Sequence, residues 1–463
     1  MFSTDDSIVA IATPPGRGGI GIVRLSGRAS VQIASLILEH QRPFRARYAT
    51  HTRVRSAQGA APIDEVIVTY FPAPNSYTGE HVVEISAHGS PVVLHAIVES
   101  AIAAGARLAA PGEFTLRAFL NGKRDLVQAE AVADLIAAAT PLQGRVAFEQ
   151  LEGTLTRRIA EIDAQLFDVI ARLEASLDFP DEGYHFIEPD ETARRISRVV
   201  EELDRLLAGA HRGRLIREGA VVVVIGRTNV GKSSIFNLLV GTDRAIVTEI
   251  AGTTRDLVSE QIDLEGLAIT LVDTAGCRDT GDVVEREGVA RATRARDAAD
   301  ALVIVLDGSE PAMPEDERLL ADTANHCRIV VMNKSDLDAR FEASRVAAAC
   351  RAGVGRGCGG PLAVSAKTGA GLDVLRRAIV SELTATESLR DTATVSNTRH
   401  VTLLQQARAR LADAHKAASH GETPEEFVLA DLQAARACLD EIVGTRTPDD
   451  VLRYIFERFC IGK

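Results

Sequence analysis

The residues whose chemical purpose is clearest are Gly226-Arg227-Thr228-Asn229-Val230-Gly231-Lys232-Ser233-Ser234. They stand between an apolar run, Val221–Ile225, and a helix-forming run, Ile235–Val240. Glycines at such a turn let backbone N–H groups wrap phosphate oxygens, and the helix N-terminus that follows favours negative charge. In this strand–loop–helix setting GxxxxGK[ST] reads as a phosphate-binding loop made by Asn229, Val230, Gly231, Lys232, Ser233 and Ser234. Lys232 is expected at the β- and γ-phosphates and the Ser233 hydroxyl on Mg²⁺. The run Ile269–Val272 delivers Asp273-Thr274-Ala275-Gly276, where Asp273 is placed to hold the metal through water and the Gly276 N–H to meet the γ-phosphate. Between the two, in Gly252-Thr253-Thr254-Arg255-Asp256, Thr254 completes the Mg²⁺ shell. Asn333-Lys334-Ser335-Asp336 follows the run Ile329–Met332. A carboxylate at Asp336 accepts from both N1–H and the N2 amine of guanine, a donor pair adenine lacks. Ser365-Ala366-Lys367 closes the base pocket. Four motifs in this order point to GTP.

The hydrolytic group is less ordinary. A Gln just after DxxG orients the attacking water in small signalling GTPases, and here that position is Cys277. A thiol cannot do this work, so the base must come from elsewhere, and on the following segment Asp279, Asp282, Glu285 and Glu287 are candidates.

Three textures supply the elements that position these residues. The first ~120 residues alternate short apolar runs (Ile8–Ala12, Gly21–Leu25, Glu65–Phe71, His81–Ser86) with Gly/Pro turns, the pattern of a small α+β domain. From Leu151 apolar residues recur every three or four positions to Leu177, which predicts one long amphipathic helix. A second helix is expected over roughly 192–210. From Ala220, fully apolar runs alternate with helical segments, as in a mostly parallel sheet covered on both faces. Helical periodicity returns after about residue 383. The simplest architecture is an all-α domain, discontinuous in sequence, into which an α/β domain is inserted; insertion is cheap when a domain's termini lie close together.

The bulk properties bound the function. The chain has 463 residues and a net charge of −12, so a solitary grip on nucleic acid through phosphate neutralisation is not expected. Any nucleic-acid substrate calls for a second protein. No apolar run approaches the ~20 residues of a membrane span, and Met1–Asp6 lacks the charged and apolar regions of a signal peptide. Six scattered cysteines without a CxxC pair fit a reducing cytoplasm. Two tempting motifs fail. Gly16–Gly21 matches GxGxxG but leads into the strand-like Ile22–Leu25 instead of a helix, so no dinucleotide is expected. Cys460 has no nearby His to activate it and is assigned no catalytic role.

The whole chain resembles the MnmE (TrmE) family of tRNA-modification GTPases. The resemblance runs through Ile8–Gly21, Tyr77-Thr78-Gly79-Glu80, Pro111-Gly112-Glu113-Phe114, Ala118–Lys123, Asp178-Phe179-Pro180 and Gly252–Asp256. It closes on Phe459-Cys460-Ile461-Gly462-Lys463. It implies a folate-binding, dimerising domain at 1–122, helical segments at 123–217 and 384–463, and a Ras-like P-loop GTPase domain at 218–383. It further implies action with a flavin-dependent partner, MnmG, in a heterotetramer or larger assembly of a homodimer. The reaction installs a carboxymethylaminomethyl or aminomethyl group on C5 of the wobble uridine of certain tRNAs. Its carbon comes from a tetrahydrofolate derivative, 5,10-methylene- or 5-formyl-. The positions that match the folate contacts are Arg24, Glu84, Lys123 and Lys463. Glu285 matches the catalytic acid. Asn229, Thr248, Ile250 and Thr253 match the ligands of a K⁺ ion standing in for an arginine finger, and Thr248 and Thr253 also belong to the nucleotide site. The chain departs from the family at Thr228 (commonly Pro), Ser90 (commonly Gly) and Arg124 (commonly apolar). Two other readings stay open: a ribosome-assembly or signalling GTPase switch, and a folate enzyme carrying a regulatory GTPase.

Overall fold

The computed structural model describes residues 5–56, 61–178, 187–242, 258–274, 293–341, 346, 360–384, 395–420 and 424–462. They fall into two compact units, one of residues 1–133, 150–196 and 409–463, the other of 134–149 and 197–408. Among the described residues no helix is long and apolar enough to cross a membrane.

The first unit holds a six-stranded sheet in the order β3-β4-β5-β2-β1-β6. Its strands are β1 (Ile8–Ile11), β2 (Gly18–Ser26), β3 (Thr50–Arg55), β4 (Pro62–Phe71), β5 (Val82–Gly89) and β6 (Arg107–Leu108). Every pairing is antiparallel except β1 with β6. Alternation assigns the faces. Val23, Leu25, Val83, Ile85 and Ala87 are buried beneath helices Ser30–Ile37 and Pro91–Ala103, which contribute Ile33, Ile37, Leu94 and Ile97. Arg24 and Glu84, in register across β2 and β5, point to the other face. Gly16–Gly21 does lead into a strand, as its sequence implies.

The long helix of this unit spans Thr154–Asp178 and buries Leu155, Ile159, Ile162, Leu166, Ile170 and Leu173 as one stripe. It does not begin at Leu151, which ends a separate helix, Pro141–Leu151. Gly153 turns the chain between the two at φ +77°, a left-handed conformation that breaks a helix although the apolar period carries straight through. Helix Glu425–Val443 buries Val428, Leu432, Ala435, Leu439 and Ile442, and its Arg436 pairs with Asp163 of the long helix at 2.8 Å. Helix Asp449–Phe456 packs Leu452, Ile455 and Phe456 against Leu116, Leu126 and Ala129. Beyond it the chain reaches β1, where a Cβ on Gly462 would lie 2.1 Å from the Ile11 carbonyl oxygen. Only glycine admits so close an approach.

The second unit holds a sheet in the order β12-β11-β10-β7-β9-β8, made by β7 (Ala220–Ile225), β8 (Val258–Leu264), β9 (Leu267–Asp273), β10 (Ala301–Asp307), β11 (Arg328–Asn333) and β12 (Leu362–Ala363). All pairs are parallel except β8 with β9. The unbroken apolar runs are explained by two cores. In β10, Val303 and Val305 join a cluster with Ile235 and Leu239 of helix Lys232–Thr242 and Leu375 and Ile379 of helix Leu372–Thr384. The intervening Leu302, Ile304 and Leu306 join a cluster on the opposite face with Leu320. A strand buried on both faces has no polar positions to alternate with.

Candidate functional site

In the second unit the C-terminal ends of parallel strands converge, the place where open α/β sheets present their loops. Residues 226–231 link β7 to helix Lys232–Thr242, so Ser233 and Ser234 lie in that helix's first turn. Asn229 adopts φ +64°, a left-handed conformation that Asn tolerates better than most residues. Lys232 is buried, and its ammonium donates to the Arg227 carbonyl at 2.6 Å. Burial lowers its proton affinity, an effect that the nearby Asp273 carboxylate opposes. Asp273 itself ends β9, buried.

Asn333, at the end of β11 and 2% exposed, ties the motifs together. Its Nδ2 donates to the Val230 carbonyl at 2.8 Å, and its Oδ1 accepts from the Ala366 N–H at 3.0 Å. One amide thereby fixes the phosphate-loop segment to the segment after β12. The fit leaves no room for a side chain at residue 231, where φ is +96° and a Cβ would lie 2.2 Å from Asn333 Nδ2. Lys334 is also left-handed, at φ +63°, and its ammonium is paired with Asp307 at the end of β10. Burial by itself would raise the Asp307 carboxyl, but hydrogen bonds from Lys334 and Ser309 outweigh it and hold the group below the ordinary carboxylate range. Asp336 is exposed and accepts from the Ser365 hydroxyl at 2.7 Å, a bond that lowers its proton affinity. Lys367 follows on the same segment, exposed.

The structure thus brings together Asn229–Ser234, Asp273, Asn333, Lys334, Asp336 and Ser365–Lys367. Thr248, Ile250, Thr253, Thr254, Gly276, Cys277, Glu285 and Lys463 lie outside the described residues, as do Asp279, Asp282 and Glu287. Asp307, absent from the sequence reading, had one available signal: it is the acid that ends the apolar run Ala301–Leu306.

A second constellation lies in the first unit. Arg24 Nε and Nη2 both donate to Glu84 Oε1, at 2.9 and 2.8 Å. Two of the positions that match folate contacts are thus bonded to each other. The Arg24 guanidinium lies 5.2 Å from the Tyr77 ring centre and 5.7 Å from that of Phe114, and its buried Nη1 has no hydrogen-bond partner among the described residues. Arg124 stands 5.5 Å from the same Tyr77 ring. The Lys123 stem runs past Gly79, where an added Cβ would meet it at 3.1 Å. Tyr77 and Phe114 belong to family-like motifs, yet nothing in their spacing marks them as neighbours of Arg24.

Comparison with known proteins extends over the whole chain. The profile of the MnmE helical domain matches residues 126–460, and that of the GTP-binding protein TrmE N-terminus matches residues 7–123. A tRNA modification GTPase MnmE from Koribacter versatilis is 42% identical over 467 residues, covering 100% of both chains. One from Azoarcus sp. is 44% identical over 464 residues, covering 99% of this chain and 98% of its own length. Among solved structures, a variant of Aquifex aeolicus Era bound to GDP.AlF4- is 28% identical over 41% of this chain and 66% of that one, with a TM-score of 0.28.

Proposed function

The chain belongs to the MnmE family of tRNA modification GTPases, and from that premise we propose that its GTP turnover serves the modification of a wobble uridine at C5. The observation that carries the nucleotide site is the Asn333 amide, bonded at once to the Val230 carbonyl and the Ala366 N–H. It makes a single pocket of segments that are far apart in sequence. In this reading Asn229–Ser234 cradle the phosphates, while Asp336 and Ser365–Lys367 hold guanine, with Asn333 and Lys334 bracing them. Ser233 and Asp273, with Thr254, supply the oxygens that a hard ion such as Mg²⁺ requires. Mg²⁺ neutralises charge on the phosphates when bound. Asn229, Thr248, Ile250 and Thr253 form the K⁺ set, and Glu285 polarises the attacking water.

The folate reading rests on Arg24. A buried guanidinium nitrogen without an acceptor among the described residues, flanked by two aromatic rings and a carboxylate, suits a flat heterocycle that carries acceptors. Glu84, Lys123 and Lys463 complete this set, and the tetrahydrofolate derivative supplies the one-carbon unit. We assign segments 1–122, 123–217, 218–383 and 384–463 to the folate-binding, first helical, GTPase and second helical parts. A homodimer joined by the MnmG flavoprotein, working on tRNA in the cytoplasm, completes the proposal.

The test combines the purified protein with a flavoprotein partner, GTP, a folate donor and unmodified tRNA, and follows the wobble uridine by mass spectrometry. A C5 adduct that needs all components is expected. GTP hydrolysis that proceeds while the uridine stays unmodified would favour a switch with no modification chemistry.

A further inference from the structure

We infer that Arg227, to which neither the motifs nor the family comparison assigns a role, is a positioning residue that sets the place of Lys232 through an anchor on Asp316. The inference rests on the assignment of Lys232 to the phosphates. Arg227 is the second residue of the phosphate loop, and its side chain is 15% exposed. Its Nε donates to Asp316 Oδ1 at 2.8 Å, and its Nη2 to Glu310 Oε2 at 3.2 Å. Asp316 is fully buried and is itself fixed. It is the third residue of helix Pro314–Asp322, and its Oδ2 accepts from the Met313 N–H at the start of that helix. The carboxylate is thus an immobile post, and the planar guanidinium meets the two acids from separate nitrogens in a fixed fork, a geometry that the point charge of a lysine does not reproduce.

The other end of Arg227 is what matters for the nucleotide. Its backbone carbonyl accepts from the Lys232 ammonium at 2.6 Å, and Lys232 as a residue is buried. A buried ammonium goes where its acceptors are. Fixing the Arg227 side chain to Asp316 fixes the carbonyl, and the carbonyl fixes Lys232. Further along the loop the Asn333 amide holds the Val230 carbonyl, but the residues next to Arg227 are less restrained. Thr228 lacks the ring that would lock its φ, and Asn229 holds a left-handed conformation that a free loop would leave.

The test is nucleotide affinity and turnover in Arg227→Gln, Asp316→Asn, their double variant and Arg227→Lys. Arg227→Gln leaves the buried Asp316 charge without its cation, whereas Asp316→Asn leaves Arg227 its bond to Glu310, so the double variant guards against misfolding, with unfolding temperature read alongside. Expected are roughly tenfold weaker binding of GTP and GDP in each single variant and no further loss in the double. Turnover at saturating GTP falls by less than the affinity does, and Arg227→Lys recovers part of the affinity. A purely structural ion pair would lower the unfolding temperature and leave the affinity of the folded protein unchanged, and that result would overturn the inference. So would singles whose losses multiply in the double. Unweakened GTP binding in Lys232→Ala would instead overturn the assignment of Lys232.

Discussion

Replacing Asn333 by alanine tests the nucleotide site at its most connected point. The side chain is 2% exposed, and its removal deletes two buried hydrogen bonds, to the Val230 carbonyl and from the Ala366 N–H. A typical intramolecular hydrogen bond contributes about 1 kcal/mol net, so the amide supplies about 2 kcal/mol toward holding the two segments in register. Without it the nucleotide must order both segments itself. If all of that falls on binding, GTP affinity drops about 30-fold, because 1.4 kcal/mol is a factor of ten. Gly231→Ala approaches the same state from the other side. Its methyl group would lie 2.2 Å from Asn333 Nδ2 and must push the amide away, while the φ of +96° adds strain of about 1–3 kcal/mol. Titration with a fluorescent guanine nucleotide, with thermal unfolding as a control, reads both variants. An affinity within threefold of wild type in Asn333→Ala, with unfolding unchanged, would refute the idea that one amide makes the pocket.

Asp336→Asn is expected to weaken GTP and gain xanthine nucleotide, since an amide donates where the carboxylate accepted; competition binding decides, and unchanged GTP preference would show the base pocket misassigned. Glu285→Ala is expected to lose most turnover while keeping GTP affinity, and turnover that survives there but dies in Asp282→Ala would name the wrong acid. Turnover measured in K⁺ and in Na⁺ at equal ionic strength is expected to favour K⁺, and Asn229→Ala to erase the difference; equal rates in wild type would end the cation proposal. The Asp307 carboxyl lies below its ordinary 3.8. Its pairing with Lys334 therefore stabilises the fold fully above that value and is lost as pH falls through the lowered one. Melting curves of wild type and Asp307→Asn should then converge only in strong acid, and convergence near neutrality would contradict the sign.

Much of this was legible in the sequence because it depends on local chemistry. A P-loop is glycines, a lysine and a hydroxyl at fixed offsets, and apolar runs without alternation report a sheet buried on both faces. What was not legible depends on the partner across space. The strand Val258–Leu264 carries Ser259, Glu260, Gln261 and Asp263, so it has no apolar run to find. It exists because it pairs with β9 from Val258↔Asp273 to Leu264↔Leu267. Strand Thr50–Arg55 is hidden in the same way, with Arg53 and Arg55 satisfied by Glu65 and Glu39. Arg24 and Glu84 stood out in the sequence only through the family resemblance; their mutual bond follows from sheet register, which one-dimensional spacing does not contain, as the nearness of the Tyr77 and Phe114 rings also does not.

The packing of helix Asp449–Phe456 on Leu116, Leu126 and Ala129 has a consequence for how the molecule is made. On a ribosome the apolar face of Leu116 emerges roughly 340 residues before Phe459, a wait on the order of 20–70 s at about 5–20 residues per second. The sheet of β7–β12 is encoded entirely within that interval and can form while the earlier face stays uncovered. Newly made chains therefore carry an open apolar seam in their first unit while the later unit is already folded. A stall in translation between residues 384 and 449 would lengthen that exposure and give nascent-chain chaperones a defined target at residues 113–132.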